Sequence, residues 1–268
     1  MANFVDKYCE FPTMLRRPMW RVWHNLLIRF DKDSTVNFMN YGYAPLNGDK
    51  PLELNAEDET DRYCIQLYHH VVNSVELENK RVIEVGSGRG GGASFISRYF
   101  KPLKYTGIDI SANVIKFCNS FYRVPGLSFV EGRAEKIPMP DASCDAVVNV
   151  ESARCYSNIK TFFNEVNRVL ADKGNFLFAD MIEKEEVDGI RGKLMECGFV
   201  IKSEKDITKN VALGLELDTR RREEQIERKI PGILKKSFAS FAGTKGTARF
   251  DSFKNGKFEY RSFVLEKQ

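Results

Sequence analysis

Five glycines fall within residues 86–92 (GSGRGGG), directly after the apolar run RVIEV at 81–85 and directly before ASFIS. A buried strand should therefore break into a glycine loop and then enter a helix. Gly86, Gly88 and Gly90 let the backbone turn where a Cβ would clash, and with Ser87 between them they bring main-chain amides against a ligand. Together with Gly91 the loop satisfies G-x-G-x-x-G, a spacing used by more than one class of nucleoside cofactor. Roughly twenty residues on, Asp109 closes the run YTGID, with Ile110 beside it; a carboxylate there can take both hydroxyls of a ribose. Glu84, two residues ahead of the first glycine, sets a carboxylate under the loop. There it can accept hydrogen bonds from an ammonium group or from the loop's own amides, and it would repel a diphosphate.

Other chemistry-bearing residues lie further along. Glu151 ends the run CDAVVNVE at a strand's carboxyl edge and is the best placed functional acid. Arg154, three residues later, is suited to a bidentate contact with a carboxylate or phosphate. Cys155 has no base spaced to serve it and reads as a packed thiol. His69 and His70 in LYHHV, and less directly His24, are candidates to accept a proton, although a histidine on an apolar helix also fits plain core packing.

The elements that must position these residues follow from periodicity. Strands are expected at 81–86, 105–110, 127–132, 144–151, 175–182 and 199–207, with helices near 93–100, 112–122, 159–170 and 184–197. Such alternation predicts an α/β fold: a Rossmann-like, doubly wound, seven-stranded, mostly parallel sheet. ADKG at 171–174 reads as a helix stop with Gly174. The closing segment 257–268 reads as an antiparallel edge strand reached by a hairpin. Aromatic and apolar residues recur at helical spacing within 1–36, and 208–248 is largely helical. The chain thus divides into an N-terminal helical lid and cofactor-covering loop (1–75), a core (76–207), a helical cap (208–256) and a final core strand (257–268).

Charge and composition narrow the partners. The 41 Lys and Arg against 37 Asp and Glu, +4 in all, are too balanced for a nucleic-acid footprint. No run of about 20 apolar residues exists, so no stable membrane insertion is expected. The six cysteines form no C-x-x-C pair, which favours a reducing, cytoplasmic setting.

The segment FVEGRAEKIPMPDASCDAVV (129–148) resembles the G-D-A-x-x-L-P-F-x-D-x-x-F-D block of Rossmann-like methyltransferases, with Gly132, Ala134, Ile137, Pro138, Asp141 and Asp145 in frame. The chain as a whole is similar to the bacterial lipid and small-molecule branch related to the phthiotriol and phenolphthiotriol dimycocerosate O-methyltransferases. That likeness runs from VNFMNYGYA through LYHHV, GRGGGASFISR and ESARCYSN to FAGTKGT and EYRSFVLEK. It implies S-adenosyl-L-methionine as cofactor and methyl transfer to a hydroxyl, or a carbon, of a hydrophobic lipid-like or polyketide-like small molecule. It further implies that Asn149, Val150 and Glu151 line the cofactor side of the pocket, that the faces of Tyr41 and Tyr43 cover the sulfonium, and that His69 is the first choice of base. Arg133 stands where the branch has the acid for the adenine amino group, leaving Glu135 or the main chain at Ala134 to make that contact. Arg154 stands where the branch has a histidine. Segments 10–30 and 230–253 are expected to fold over the strand ends, with Phe238, Phe241, Phe250 and Phe253 lining an acceptor pocket or packing as core. The alternatives are an NAD(P)-linked oxidoreductase and a protein of the same fold with a non-methylating role; pairing with a second copy of the chain stays open.

Overall fold

Near-continuous apolar runs separated by helix-length segments leave a chain little choice but parallel pairing with both sheet faces covered. In the computed structural model, which describes residues 30–31, 35–46 and 52–268, that is the outcome. Most of the helical region expected within 1–36, the lid segment 10–30 and His24 lie outside the described residues. In chain order the elements are α1 (Arg62–Val72), β1 (Arg81–Val85), α2 (Gly91–Phe100), β2 (Lys104–Asp109), α3 (Ala112–Phe121), β3 (Leu127–Glu131) and β4 (Cys144–Val150). There follow α4 (Ile159–Val169), β5 (Leu170–Glu183), α5 (Val187–Glu196), β6 (Phe199–Asp206), α6 (Thr208–Lys229), α7 (Gly232–Ala242), α8 (Ala248–Lys254) and β7 (Phe258–Lys267). No helix among the described residues is long and apolar enough to cross a membrane.

The seven strands form one sheet in the order β3-β2-β1-β4-β5-β7-β6. Strands β1 to β5 are parallel to one another, and β7 runs antiparallel to both β5 and β6. Two sequence expectations are corrected here. The last strand is not at an edge reached by a hairpin: it follows α6, α7 and α8 and inserts between β5 and β6, because its apolar residues on both faces need cover that an edge would deny. Nor is 171–174 a helix stop. Helix α4 ends at Val169, Leu170 already pairs with Cys144, and the chain bulges before Asn175 pairs with Ala146; the left-handed residue in the bulge is Lys173 (φ 61°), not Gly174.

Side chains alternate between two cores, as a strand's period of two requires. Val82, Ala146, Val148, Leu177 and Tyr260 face a layer built on α1, α2, α3, α6 and α8, whereas Ile83, Val85, Val147, Phe176 and Phe178 face α4 and α5. The second layer is dominated by phenylalanines. Phe176 lies with its ring centroid 5.5–6.0 Å from those of Phe162, Phe163, Phe178 and Phe199. It is fully buried, so its removal leaves a cavity that rigid neighbouring rings fill poorly. Phe176→Ala should lower unfolding free energy by about 3–5 kcal/mol, measured by urea titration.

Candidate active site

Strand order reverses between β1 and β4, and at such a switch point the loops leaving the two strands diverge and open a crevice at their carboxyl ends. A crevice is found there, lined by Gly86, Ser87, Gly88 and Arg89 from the loop after β1, by Asp109, Ile110 and Ser111 after β2, and by Gly132, Ala134 and Glu135 after β3. Val150 and Glu151, with Ser152, Arg154, Cys155 and Tyr156 from the turn after β4, form the opposite wall, and Asn37, Phe38, Met39, Asn40 and Tyr68 close over the top.

The glycine loop is held by its neighbours. The amides of Gly86 and Ser87 donate to the Ile108 carbonyl at 2.8 and 3.0 Å. Gly88 N donates to Asp109 Oδ2 at 3.1 Å, and Ser111 N donates to Asp109 Oδ1 at 2.9 Å. Each oxygen of Asp109 thus retains accepting capacity toward the crevice it lines. Gly86 has φ 77°, and a Cβ on it would lie 2.6 Å from Ser152 Cβ and 2.8 Å from Tyr156 Oη. Only glycine lets the loop and the turn after β4 meet so closely. Ser152 Oγ donates to the Val85 carbonyl at 3.2 Å and Asn149 Nδ2 donates to the same oxygen at 2.7 Å, which closes the seam.

Glu151 takes an unusual backbone conformation, φ 53°, where a side chain costs of order 1–3 kcal/mol unless the surroundings impose it. They do: its amide stays in the ladder, donating to the Ala179 carbonyl at 2.9 Å, while the chain reverses into a short 3-10 turn at Ala153–Cys155. Its side chain is buried. Oε1 accepts from the Tyr41 amide at 2.7 Å and from Tyr260 Oη at 2.9 Å, whereas Oε2 has no hydrogen-bond partner and lies 3.6 Å from Arg154 Nη2. Burial pushes the Glu151 carboxyl above its ordinary range, opposed by the Arg154 charge and these two donors. Arg154 is shared with a second carboxylate, donating from Nη1 to Asp180 Oδ1 at 3.2 Å, and its guanidinium lies 5.4 Å from the Tyr41 ring centre.

Of the residues singled out from sequence, the crevice gathers Gly86, Ser87, Gly88, Asp109, Ile110, Ala134, Glu135, Val150, Glu151 and Arg154. Others stand outside its wall. Gly90 starts α2, against Tyr122 and Phe129. Asn149 is spent on the seam. Tyr41 packs edge-on against Phe253 and contributes its amide rather than its ring face, and Tyr43 stacks on His70 at 4.6 Å. His69 faces Phe100, 6.0 Å between ring centres: one residue along a helix is about 100° of rotation, and it is the preceding Tyr68 that points to the crevice. Burial lowers the His69 pKa and pushes His70 down to about 4. Glu84 is completely buried beneath the loop, accepting from Tyr68 Oη at 2.7 Å and Tyr105 Oη at 3.0 Å instead of from loop amides. Arg133 is exposed, while Glu135 Oε1 accepts from the Ser157 amide at 2.9 Å. The individual residues at 37–40 and Tyr68 were not singled out in sequence, although Tyr68 directly precedes His69 and 37–40 directly precede Tyr41.

The comparisons agree with this geometry. A family described as methyltransferase domain matches residues 83–178. The phthiotriol/phenolphthiotriol dimycocerosates methyltransferase of Mycobacterium tuberculosis is 34% identical over 257 residues, covering 95% of this chain and 94% of the relative. The chain belongs to this family of S-adenosylmethionine-dependent methyltransferases. Within the family, a fatty-acid O-methyltransferase of Mycolicibacterium smegmatis is 36% identical over 240 residues, covering 88% of this chain and 85% of that one. The cyclopropane synthase MmaA2 of Mycobacterium tuberculosis shares the fold, with a TM-score of 0.67 at 12% identity, covering 90% of this chain and 97% of that one. The methyltransferase's crevice fits the cofactor: a glycine cradle that a Cβ would fill, an acceptor carboxylate at Asp109, and a buried carboxylate at Glu84 under the loop.

Glu84 gives this methyltransferase a stability signature. Burial raises its pKa from 4.5 to about 7, against lowering hydrogen bonds from Tyr68 and Tyr105. The folded state therefore binds this proton more tightly than the unfolded one. Its stabilising effect is complete below about pH 4.5 and is lost as pH rises through about 7. The loss is roughly 3 kcal/mol. Without cofactor, Glu84→Gln should flatten the fall in unfolding free energy between pH 5 and pH 8 by about that amount; a variant with the native slope would refute the assignment.

Proposed function

We propose that this methyltransferase transfers the methyl group to a hydroxyl of a hydrophobic, lipid-like acceptor, with Glu151 accepting the hydroxyl proton. The observation that carries the reading is Glu151 Oε2: a carboxylate oxygen in the crevice wall, buried and without a hydrogen-bond partner, while Oε1 is fully engaged. A hydroxyl donating to Oε2 satisfies that oxygen and is activated by it. A carboxylate acceptor needs no base but does need a cation, and Arg154 is already shared between Glu151 and Asp180. The lipid-like character of the acceptor draws on the relatives, named for phthiotriol and for fatty acid.

In this reading the space left open above Gly86 and Gly88, where no Cβ intrudes, takes the amino-acid end of the cofactor, Asp109 holds the ribose, and Ile110, Ala134 and Glu135 border the adenine. Bound S-adenosylmethionine supplies an electrophilic methyl group on a sulfonium. The protein's own work is to orient the hydroxyl, take its proton at Glu151 and exclude water beneath the 37–40 segment. The cytoplasm is the compartment we assign, supported by buried thiols at Cys64, Cys118, Cys144 and Cys197 that form no disulfide. Nucleic acid is left out as a partner on the charge balance of the chain.

Long-chain alkanols and alkylphenols, offered with labelled cofactor beside the matching fatty acids, should yield methyl ethers in preference to esters. Glu151→Gln should reduce kcat about 10²–10⁴-fold while S-adenosylhomocysteine still binds by calorimetry. Esters formed at equal rates by native and Glu151→Gln protein would sink the proposal. The base works deprotonated, so activity falls as pH drops through the Glu151 pKa, which lies above the usual carboxylate range. Tyr260→Phe removes a donor that lowers that pKa, so the acid limb of the kcat/KM profile should move to higher pH; a limb that stays or moves down would remove Glu151 from the role.

A further inference from the structure

Behind the crevice, across the 36–39 segment, a second cavity opens between that segment and helices α6 and α7. Ile226, Ile230, Phe238 and Phe241 form its apolar wall, and Phe38 and Met39 belong to the walls of both cavities. The two spaces are thus neighbours separated by two side chains. Phe250 and Phe253, the other phenylalanines of this region, are buried in the core beside α6 and β7 and take no part.

Three cations also line the second cavity, and each is engaged. Arg221 Nη1 donates to Asp61 Oδ1 at 2.7 Å, Arg222 Nε to Asp218 Oδ2 at 2.8 Å, and Lys229 Nζ to Asp31 Oδ1 at 2.6 Å. Two of them also fasten the dividing segment. Arg222 Nη2 donates to the Asn40 carbonyl at 2.9 Å, and Asp31, held by Lys229, accepts from the Val36 amide at 3.1 Å. These charges anchor the wall to α6, so apart from the amide of Gln225 what the cavity offers a ligand is hydrocarbon surface. Burying an anionic group such as a diphosphate there would require breaking pairs that hold the wall in place.

We propose that this second cavity holds the hydrocarbon tail of the methyl acceptor, passing Phe38 and Met39 from a hydroxyl seated at Glu151. The assignment rests on the reading of Glu151 as the transfer site, and it adds a substrate class: a neutral, extended alkyl chain attached to the reacting hydroxyl. An alkyl tail in an apolar cavity gains up to about fourfold in affinity per methylene buried, until the cavity is filled.

The test uses the full chain saturated with S-adenosylhomocysteine, titrated calorimetrically with p-alkylphenols of increasing alkyl length, and the same series in transfer assays. Native affinity should climb two- to fourfold per methylene and then level off. Ile226→Phe and Ala242→Phe, which add volume inside the cavity, should flatten the climb and cost the long-chain phenols at least tenfold relative to the short ones. Ile233→Phe, on α7 but 91% exposed, should keep the native dependence. The proposal is overturned if native affinity is independent of chain length, or if the two cavity variants bind S-adenosylhomocysteine normally and retain the native climb. A climb that the cavity variants abolish, with no methyl transferred to any phenol, supports the tail cavity while overturning the hydroxyl-transfer reading.

Discussion

The crevice depends on how closely two chain reversals approach each other. The loop after β1 and the turn after β4 share the Val85 carbonyl, reached by Asn149 and Ser152, and they can do so because Gly86 places no Cβ between them. The parallel register of β1 and β4, with Val82 opposite Ala146 and Glu84 opposite Val148, brings both reversals to the same level. That seam sets the glycine loop on one side of the crevice and the left-handed turn at Glu151 on the other.

Buried carboxylates are the second organising feature. Glu84, Glu151 and Asp180 are all shifted upward by burial, so each resists ionisation in the folded chain. A group buried at such cost without full hydrogen bonding is commonly tied to function, and the three differ in how they are compensated. Asp180 has Arg154 and the amides of Arg154 and Met181. Glu84 has two tyrosine hydroxyls and sits below the glycine loop. Glu151 alone among them keeps an oxygen without a donor. The three thus differ in place as well as in partners: Glu151 lines the crevice, and Glu84 sits beneath the glycine loop.

The 36–40 segment connects the two cavities to the fold. The Gly91 amide donates to the Asn37 carbonyl, Arg222 holds the Asn40 carbonyl, and Tyr41 lends its amide to Glu151. One irregular strip of chain therefore roofs the cofactor crevice, braces the proposed base and walls off the second cavity. Bonds at the Val36 amide and at the Asn37 and Asn40 carbonyls tie it to its surroundings, which is how a segment without regular structure can hold a defined position.

Much of this was legible in the residues themselves. The near-continuous apolar runs and the glycine loop announced a doubly wound sheet with a glycine loop after its first strand, and the acids at 109 and 151 marked strand ends, because local backbone requirements and burial patterns are written in sequence order. What tertiary structure decided is where side chains meet across distant segments. Helix rotation gave Tyr68 rather than His69 to the crevice. Packing turned Tyr41 and Tyr43 away and used the amide of Tyr41 in place of its ring. Asp180 came to share Arg154 with Glu151, and β7 took an interior place in the sheet. These outcomes depend on contacts between residues on different elements of the chain, whose geometry no local spacing encodes, while the loop, the strands and their terminal acids depend on backbone freedom and hydrophobic period, which it does.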